Sequence, residues 1–349
     1  MRHAGTQTIK MSRLTLRKFE LADAEMMFTN WASDDDISRF MRWATHKSVA
    51  ETKAIIGNWV DGYKENTCYH WGICIEGGEM IGSVGVMITA EYDFKAEFGY
   101  CIGRRWWGQG YVTEAVKAVI DYMFCNTDIA RIEAYHSVDN PASGKVMAKA
   151  GMRHEGFAHH KYKNRDGFQD CDLYGIVRDE WEIHKEIAYY NALPVVSDRF
   201  IDLPALSDGE IQLVCTAKKE AIAEKKWVPA YEFIISRGSE TVGNIQLRLG
   251  YGGGFYGSNL YYGGQIGYNI DEKYRGNGYA GRACRLLLPV ARAHSMQKLL
   301  ITNAYANAAS RRVCEKLGAR LLRVARLPEW HDIYKEGARF VNIFEWSVE

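Results

Sequence analysis

Two short stretches place glycines where a charged ligand could use them. Gly103–Ala115 reads GRRWWGQGYVTEA and Asp271–Ala283 reads DEKYRGNGYAGRA. Each sets a cation before Gly-x-Gly and then starts an amphipathic helical pattern. Backbone N–H groups at a helix N-terminus bind anions, and glycine lets a phosphate come close to the main chain. Both loops therefore read as phosphate cradles, with Arg105 and Lys273 adding charge ahead of Gly108 and Gly276. The plain alternative is a tight turn with no ligand. It weakens because the same Asn-x-x-Ser follows each loop, at Asn140–Ser143 and Asn307–Ser310. The Walker pattern G-x-x-x-x-G-K-[ST] is absent. Gly276, Gly278 and Gly281 do spell G-x-G-x-x-G, but Thr113 takes the third position in the first loop. No acidic residue stands about 20 residues further on, at SMQKLLI, to hold a ribose, so a dinucleotide site is set aside.

The loops belong to a longer repeat. Gly99, Gly108 and Gly110 answer to Gly267, Gly276 and Gly278, and Asn140, Ser143 and Gly151 answer to Asn307, Ser310 and Gly318. The repeat is domain-sized, so the chain is a tandem pair and not a solenoid. In the first copy, Tyr69–Ile75 and Met80–Met87 read as strands split by the hairpin signal EGGE, and Glu97–Ile102 as a third strand. Val112, Ala115, Val116, Val119, Ile120 and Met123 recur at helical spacing. Arg131–His136 reads as a strand, and Ser143–Ala150 as a helix ended by Gly151. The second copy matches with Tyr231–Ser236, Val242–Leu249, Gln265–Ile270, a helix from Tyr279 kinked at Pro289, Leu299–Asn303 and a helix over Ala309–Leu317. This order predicts a mixed sheet with helices packed on it. The boundaries expected are 1–10 as an N-terminal extension, 11–182 as the first domain, 183–198 as a linker and 199–349 as the second domain.

Composition agrees with two ordinary globular domains. The 349 residues carry Lys+Arg 44 against Asp+Glu 43, a net charge of +1 that offers no general attraction to nucleic acid or an acidic membrane. No apolar run is long enough to span a bilayer, and MRHAGTQTIK has no apolar core of a signal peptide. The eight cysteines lack C-x-x-C spacing and read as free thiols of a cytoplasmic protein, with no metal site expected.

Together these stretches resemble the GNAT superfamily of acyl-CoA-dependent N-acyltransferases. Its [RQ]-x-x-G-x-[GA] motif matches Arg105–Gly110 (RWWGQG) and, with Lys273 as a mild departure, Lys273–Gly278 (KYRGNG). The first copy is similar to the RimJ/RimL-type branch from Leu14 to Trp181, through LTLRKFELADAEMMF, IGSVGV, AEFGYCIGRRWWGQGYVTEA and NPASGKVMAKAGMRHEG. The resemblance implies an α/β (α+β) fold: two tandem GNAT-like domains, each a mixed, mostly antiparallel sheet splayed at its fourth and fifth strands, with flanking helices. It implies acetyl-CoA, with the pyrophosphate on the loop amides and the pantetheine arm along the strand before the loop. The cofactor-binding residues so implied are Tyr100, Cys101, Ile102, Arg105, Trp107, Gly108, Gln109, Gly110, Tyr111 and Asn140. Their counterparts in the second copy are Ile270, Lys273, Arg275, Gly276, Asn277, Gly278, Tyr279, Asn307 and Ser310.

Acyl transfer to an amine needs a base for the amine proton and a donor for the leaving thiolate. Glu97 opens the strand that would carry the thioester and matches the position of a catalytic glutamate in many family members. Glu155 in MRHEG matches a glutamate of RimL-like sequences. The family's usual tyrosine acid is replaced by Met147 and Cys314, so Ser143 is the candidate donor and Tyr135 a weaker one. Strand amides at Tyr100–Ile102 would hold the oxyanion. Trp31, Arg39, Phe40, Arg42, Trp43 and His46 could wall the acceptor pocket, with Trp31, Arg39 and Trp43 as the named substrate contacts; Asp34–Asp36 could attract a cationic amine. In the second copy Gln265 replaces Glu97, and GYGGGFYGSNLYYGG (Gly250–Gly264) reads as a long exposed hairpin or a binding loop. The expectation is an acetyl-CoA-dependent N-acetyltransferase acting on a primary amine, a protein N-terminus or a small molecule, by direct attack in a ternary complex. The N-terminal copy would be the catalytic one, in a monomer or homodimer. The alternative is a non-catalytic acyl-CoA-binding or sensing protein.

Overall fold

The computed structural model describes residues 1–194, 199–250 and 254–348. It divides into two compact units, Met1–Glu182 and Ile183–Glu349. The first carries strands β1 (Ile9–Lys10), β2 (Leu14–Arg17), β3 (Tyr69–Ile75), β4 (Met80–Ala90), β5 (Lys95–Ile102), β6 (Arg131–Ser137), β7 (Arg153–Asn164) and β8 (Gly167–Val177). Its helices are α1 (Ala24–Met27), α2 (Asp35–Ser38), α3 (Val49–Gly62), α4 (Tyr111–Asn126) and α5 (Pro141–Lys149); α6 (Arg178–Ala192) starts here and continues through much of the expected linker. The sheet runs β1-β2-β3-β4-β5-β6-β8-β7, and only β5 and β6 are parallel. Glu97 therefore lies two residues inside its strand instead of opening it, because β5 already pairs with β4 from Lys95.

Strand alternation divides the side chains between two layers. Tyr69, Trp71, Val84, Val86 and Phe98 face α4, whose Val112, Ala115, Val116, Val119, Ile120 and Met123 are all buried. The opposite face is covered by α1–α3, where Phe19, Met27, Trp31, Ile37 and Ile56 pack with Cys74, Met80 and Cys101. Each fully buried aliphatic or aromatic side chain contributes about 1.5–3 kcal/mol. Helical periodicity therefore reports the α4 layer directly.

The second unit carries β9 (Leu206–Ser207), β10 (Gln212–Lys219), β11 (Ala230–Arg237), β12 (Glu240–Arg248), β13 (Ile266–Ile270), β14 (Lys298–Ala304), β15 (Arg320–Arg326) and β16 (Phe340–Ser347). They are ordered β15-β16-β14-β13-β12-β11-β10-β9, with β13 and β14 parallel. Its helices are α7 (Gly254–Gly263), α8 (Tyr279–Leu286), α9 (Leu288–Ala293), α10 (Ala308–Leu317) and α11 (Asp332–Lys335). Pro289 sits in the first turn of α9 and separates it from α8. The segment expected as a hairpin or binding loop is largely α7, with Tyr261 and Tyr262 buried in the core; its residues 251–253 lie outside the described residues.

Residues 1–10 are part of the first unit, not an appendage to it. Gly5 N donates to Asn66 O at 2.8 Å, the Trp71 indole donates to Gln7 O at 2.7 Å, and Ile9–Lys10 pairs with β2. Thr6 Oγ1 donates to Cys68 O at 2.8 Å and accepts from His70 N at 2.9 Å. All eight cysteines are free thiols. No helix among the described residues is long and apolar enough to cross a membrane. Thr6 is buried. Thr6→Val keeps the shape but strips two half-buried backbone groups of their partner, so it should cost about 1–3 kcal/mol. Urea denaturation measures that loss.

Candidate active site

In the first unit β5 runs into a single turn of 3₁₀ helix, Arg104–Trp106, and the chain then doubles back to begin α4. Trp107 Nε1 donates to Ile102 O at 3.0 Å and Gln109 Nε2 to Arg105 O at 2.8 Å, which hold the loop shut on itself. Gly108 (φ 74°) and Gly110 (φ 82°) take left-handed conformations that favour glycine. A Cβ at Gly108 would meet nothing within 4 Å, so that side of the loop is open. Gly110 is the N-cap of α4 and no side chain caps it, whereas Ser48 caps α3 and Asn140 caps α5. The first four amides of a helix have no partner inside it. At α4 they are left for an anion. Arg13 stands beside them, donating to Gln109 O at 3.3 Å, paired to Glu114 at 2.7 Å and lying over the Tyr111 ring. Arg105 is exposed, 3.7 Å from Glu79 and over the Trp106 ring.

The second unit repeats this loop with different side chains. Arg275 Nε replaces the indole as donor to Ile270 O at 3.0 Å, and Asn277 Nδ2 donates to Tyr274 O at 3.0 Å. Lys273 lies over the Tyr274 ring. Gly276 (φ 89°) and Gly278 (φ 79°) repeat the backbone, and Gly278 caps α8, which begins at Tyr279, without a side chain.

Beside each loop the sheet opens. β5 pairs with β6 at Lys95–Arg131, Ala96–Ile132 and Glu97–Glu133 and then no further, although both strands continue. β13 and β14 share the single pair Ile266–Ile301. Beyond Glu97 the β5 backbone has lost its neighbour on that side, along Tyr100, Cys101 and Ile102. An open strand edge leading to an uncapped helix N-terminus fits the amide-bearing arm and diphosphate of coenzyme A.

Glu97 sits where the strands part. Residues paired across strands share a face, so Glu97, Glu133 and Tyr135 all look toward the α1–α3 side of the sheet. Burial pushes the Glu97 carboxyl above its ordinary value; Lys161 and Arg42 act against that, Glu133 adds to it, and hydrogen bonding from Tyr135 lowers it. Arg42 Nη2 donates to Tyr135 Oη at 2.6 Å and lies over the Tyr162 ring, while Lys161 lies over Tyr135. Glu133 is engaged by Arg131 Nε at 2.5 Å. Glu155 is held by the same guanidinium through both its oxygens, which lowers its pKa. That is the wrong direction for a base near neutral pH, so the structure places Glu155 in an ion pair and leaves Glu97 as the available carboxylate.

Ser143 lies on the other face. Its amide donates to the Asn140 side chain at 3.4 Å, so Asn140 is the α5 cap and Ser143 is free of that duty. Its hydroxyl is 2.8 Å from Tyr100 Oη. Asn307 caps α10 in the same way through Ser310 N at 3.0 Å. An acyl group in the opening would thus have a carboxylate on one side of the sheet and a hydroxyl on the other.

The acceptor residues divide. Trp31 is 1% exposed and serves the core, because α1–α3 need a large apolar side chain against β4 and β5. Arg39 is exposed and 4.0 Å from Asp166, and the Trp43 ring packs 5.5 Å from that of His46. Arg42 is the member of that segment that reaches the site. Asp34 and Asp36 both bind Arg104 and Asp35 binds Arg165, so this acidic run is committed to ion pairs. Sequence reasoning missed Glu133 and the Tyr100–Ser143 bond. The second had a signal, since Gly99-Tyr100 recurs as Gly267-Tyr268.

Among the described residues no cluster of side chains is arranged to hold a metal ion. The Acetyltransferase (GNAT) domain family model matches residues 13–153 and again residues 194–320. The chain is 30% identical over 176 residues to "Uncharacterized N-acetyltransferase p20" of Bacillus licheniformis, covering 50% of this chain and 98% of the relative. It is 30% identical over 144 residues to "[Ribosomal protein uS5]-alanine N-acetyltransferase" of Escherichia coli (strain K12), covering 40% of this chain and 74% of the relative. An acetyltransferase (GNAT family) structure from Bacillus anthracis aligns with TM-score 0.44 at 24% identity, over 49% of this chain and 99% of that one. With a splayed sheet, an uncapped glycine loop and a family match in both units, the chain belongs to the GNAT family of N-acetyltransferases, which take their acetyl group from acetyl-CoA.

Proposed function

We propose that the first unit acetylates a primary amine by direct attack in a ternary complex, with Glu97 as general base and Ser143 serving the leaving group. The observation that carries this reading is the placement of Glu97 at the vertex of the β5–β6 opening. Acetyl-CoA supplies the activated acetyl group when bound. Glu97 takes the amine proton from the α1–α3 face, and its raised pKa brings it closer to the operating pH than an ordinary carboxylate. The unpaired β5 amides beyond Glu97 offer donors for the developing oxyanion. Gly108, Gly110 and the first turn of α4 hold the diphosphate, with Trp107 and Gln109 fixing the loop.

The second unit supports a different reading: coenzyme A binding without turnover. Gln265 stands where Glu97 does, is 1% exposed, and its Oε1 accepts from Leu300 N at 2.5 Å. It closes the vertex as a strand bridge and has no proton-accepting role. Leu300 and Thr302 stand where Glu133 and Tyr135 do. The acceptor is a primary amine of a protein N-terminus or a small molecule; the E. coli relative's named alanine substrate supports the former.

Four outcomes test these assignments. Glu97→Gln should lower kcat by roughly 10²–10⁴-fold while leaving coenzyme A binding by calorimetry within about twofold. In the wild type, activity should fall as pH drops through the raised Glu97 pKa, because the ionised form is the base; the variant's residual rate should lose that limb. The stability sign is opposite. A carboxyl whose folded pKa is raised destabilises the fold at any pH above that pKa, so Glu97→Gln should be no less stable than the wild type in urea at pH 8. Gly108→Ala places a methyl on the open side of the loop and should weaken coenzyme A binding at the first unit about tenfold or more. Its cost to stability, from an L-residue at positive φ, should be only about 1–2 kcal/mol. An unchanged coenzyme A titration in this variant would remove the loop from the site.

A further inference from the structure

We propose that Tyr100 is a positioning residue for the leaving-group end of the reaction: its hydroxyl donates to Ser143 Oγ and so leaves the serine O–H free to point into the opening between β5 and β6. This deepens the acyl-transfer reading above and rests on it.

The pair occurs twice. Tyr100 Oη lies 2.8 Å from Ser143 Oγ, and Tyr268 Oη lies 2.8 Å from Ser310 Oγ. Between the units the acceptor side has been rebuilt, with Gln265, Leu300 and Thr302 in place of Glu97, Glu133 and Tyr135. The tyrosine–serine bond survived that change together with the glycine loop and the Asn cap. It therefore tracks the coenzyme side of the site and not the amine side. The faces agree: Tyr100 follows Phe98 toward α4 and α5, opposite to Glu97.

The geometry leaves Ser143 one freedom. Its main chain is fixed at the third position of α5, with its amide on Asn140. What remains is the rotation of the hydroxyl, which has one proton and two lone pairs. Tyr100 can give its proton to Ser143 O, 2.9 Å away, while accepting the serine proton, or give it to Oγ. A negative charge developing in the opening selects the second arrangement, because only then does the serine O–H face it. Burial holds the phenol well above its ordinary pKa, so Tyr100 stays a donor at every working pH. In the transfer, the amine nitrogen forms the new C–N bond and the C–S bond breaks with its electron pair left on sulfur. The amine proton passes to Glu97. The serine O–H hydrogen-bonds the departing thiolate until solvent protonates it, and neither Ser143 nor Tyr100 ionises.

The test is a double-mutant cycle of Tyr100→Phe and Ser143→Ala in the full chain, run with acetyl-CoA and with its selenoester analogue, whose selenolate is far less basic. Tyr100→Phe should lower kcat about tenfold, the size of one lost hydrogen bond to a charged partner, with the KM for acetyl-CoA within about twofold. The double variant should be no worse than Ser143→Ala, since residues acting through one another are not additive. With the selenoester both defects should shrink to less than about threefold, because little leaving-group charge needs stabilising. A purely structural clamp of α5 would slow both donors equally. An equal defect with both donors, additive losses, or full activity in Tyr100→Phe or Ser143→Ala overturns the proposal and leaves the Glu97 assignment standing. A wild type that acetylates no amine in a panel of peptides and small amines overturns the acyl-transfer reading itself, and this proposal with it.

Discussion

The parting of two parallel strands governs both units. A β-strand that loses its neighbour exposes a row of N–H and C=O groups, which is costly when buried and an aggregation hazard when exposed. β5 and β6 separate after Glu97–Glu133, and β13 and β14 hold by the single pair Ile266–Ile301. The uncapped starts of α4 and α8 leave a second set of amides open beside the first. A ligand with an amide-bearing arm and a diphosphate satisfies both sets at once. The fold therefore carries unmet hydrogen-bonding capacity in the places where such a molecule supplies it.

Where the strands part also decides what chemistry the opening can do. At the vertex of the first unit a carboxylate is half-buried beside a second carboxylate, and its proton affinity rises. At the vertex of the second unit the amide of Gln265 turns inward and receives Leu300 N, which acts as an extra rung of the ladder. In the reading proposed above the first side chain serves a proton transfer, while the second fastens the two strands. The exchange of an oxygen for an amide nitrogen is the difference on which the proposed division of labour between the two units rests, while the downstream loop keeps its two left-handed glycines.

The loop was legible in the sequence because its requirement is local. Positive φ at Gly108 and Gly110 demands glycine, and the helical spacing from Val112 follows at once. The parallel junction and Glu97 came with the family pattern. What the sequence left hidden was set by register. Glu133 becomes a neighbour of Glu97 only through β5–β6 pairing, and Arg131 reaches Glu155 only because the β7–β8 hairpin folds back beside β6. Trp31 resembled a pocket wall, but aromatic type alone does not tell a core-facing ring from a ligand-facing one. Residues 1–10 read as an extension because the bonds that tie them down, from Gly5 N and the Thr6 hydroxyl, end on backbone groups of Asn66, Cys68 and His70, which no side-chain pattern announces. Gly250–Gly264 read as a loop from its glycines, yet Tyr261 and Tyr262 gain enough burial to hold α7 in place.

The duplication separates what the site needs from what merely fills it. The last carbonyl of the strand before the loop is bonded by an indole in one unit and a guanidinium in the other, Trp107 to Ile102 and Arg275 to Ile270. The first turn of the loop helix is tied to the strand region by Glu114 accepting from Arg13 in one unit, and by Arg282 donating to Asp208 and Glu210 in the other. The charges are reversed and the tether remains. Side chains have thus been exchanged freely wherever their task is to hold the backbone. At the loop and the helix that follows the next strand, the two left-handed glycines, the Asn cap and the tyrosine–serine bond were kept. Glycine is retained because a backbone conformation has no substitute. As a mere helix cap asparagine has a substitute, since Ser48 caps α3. Retention of the tyrosine–serine bond in both units is what the coenzyme-side role proposed above requires.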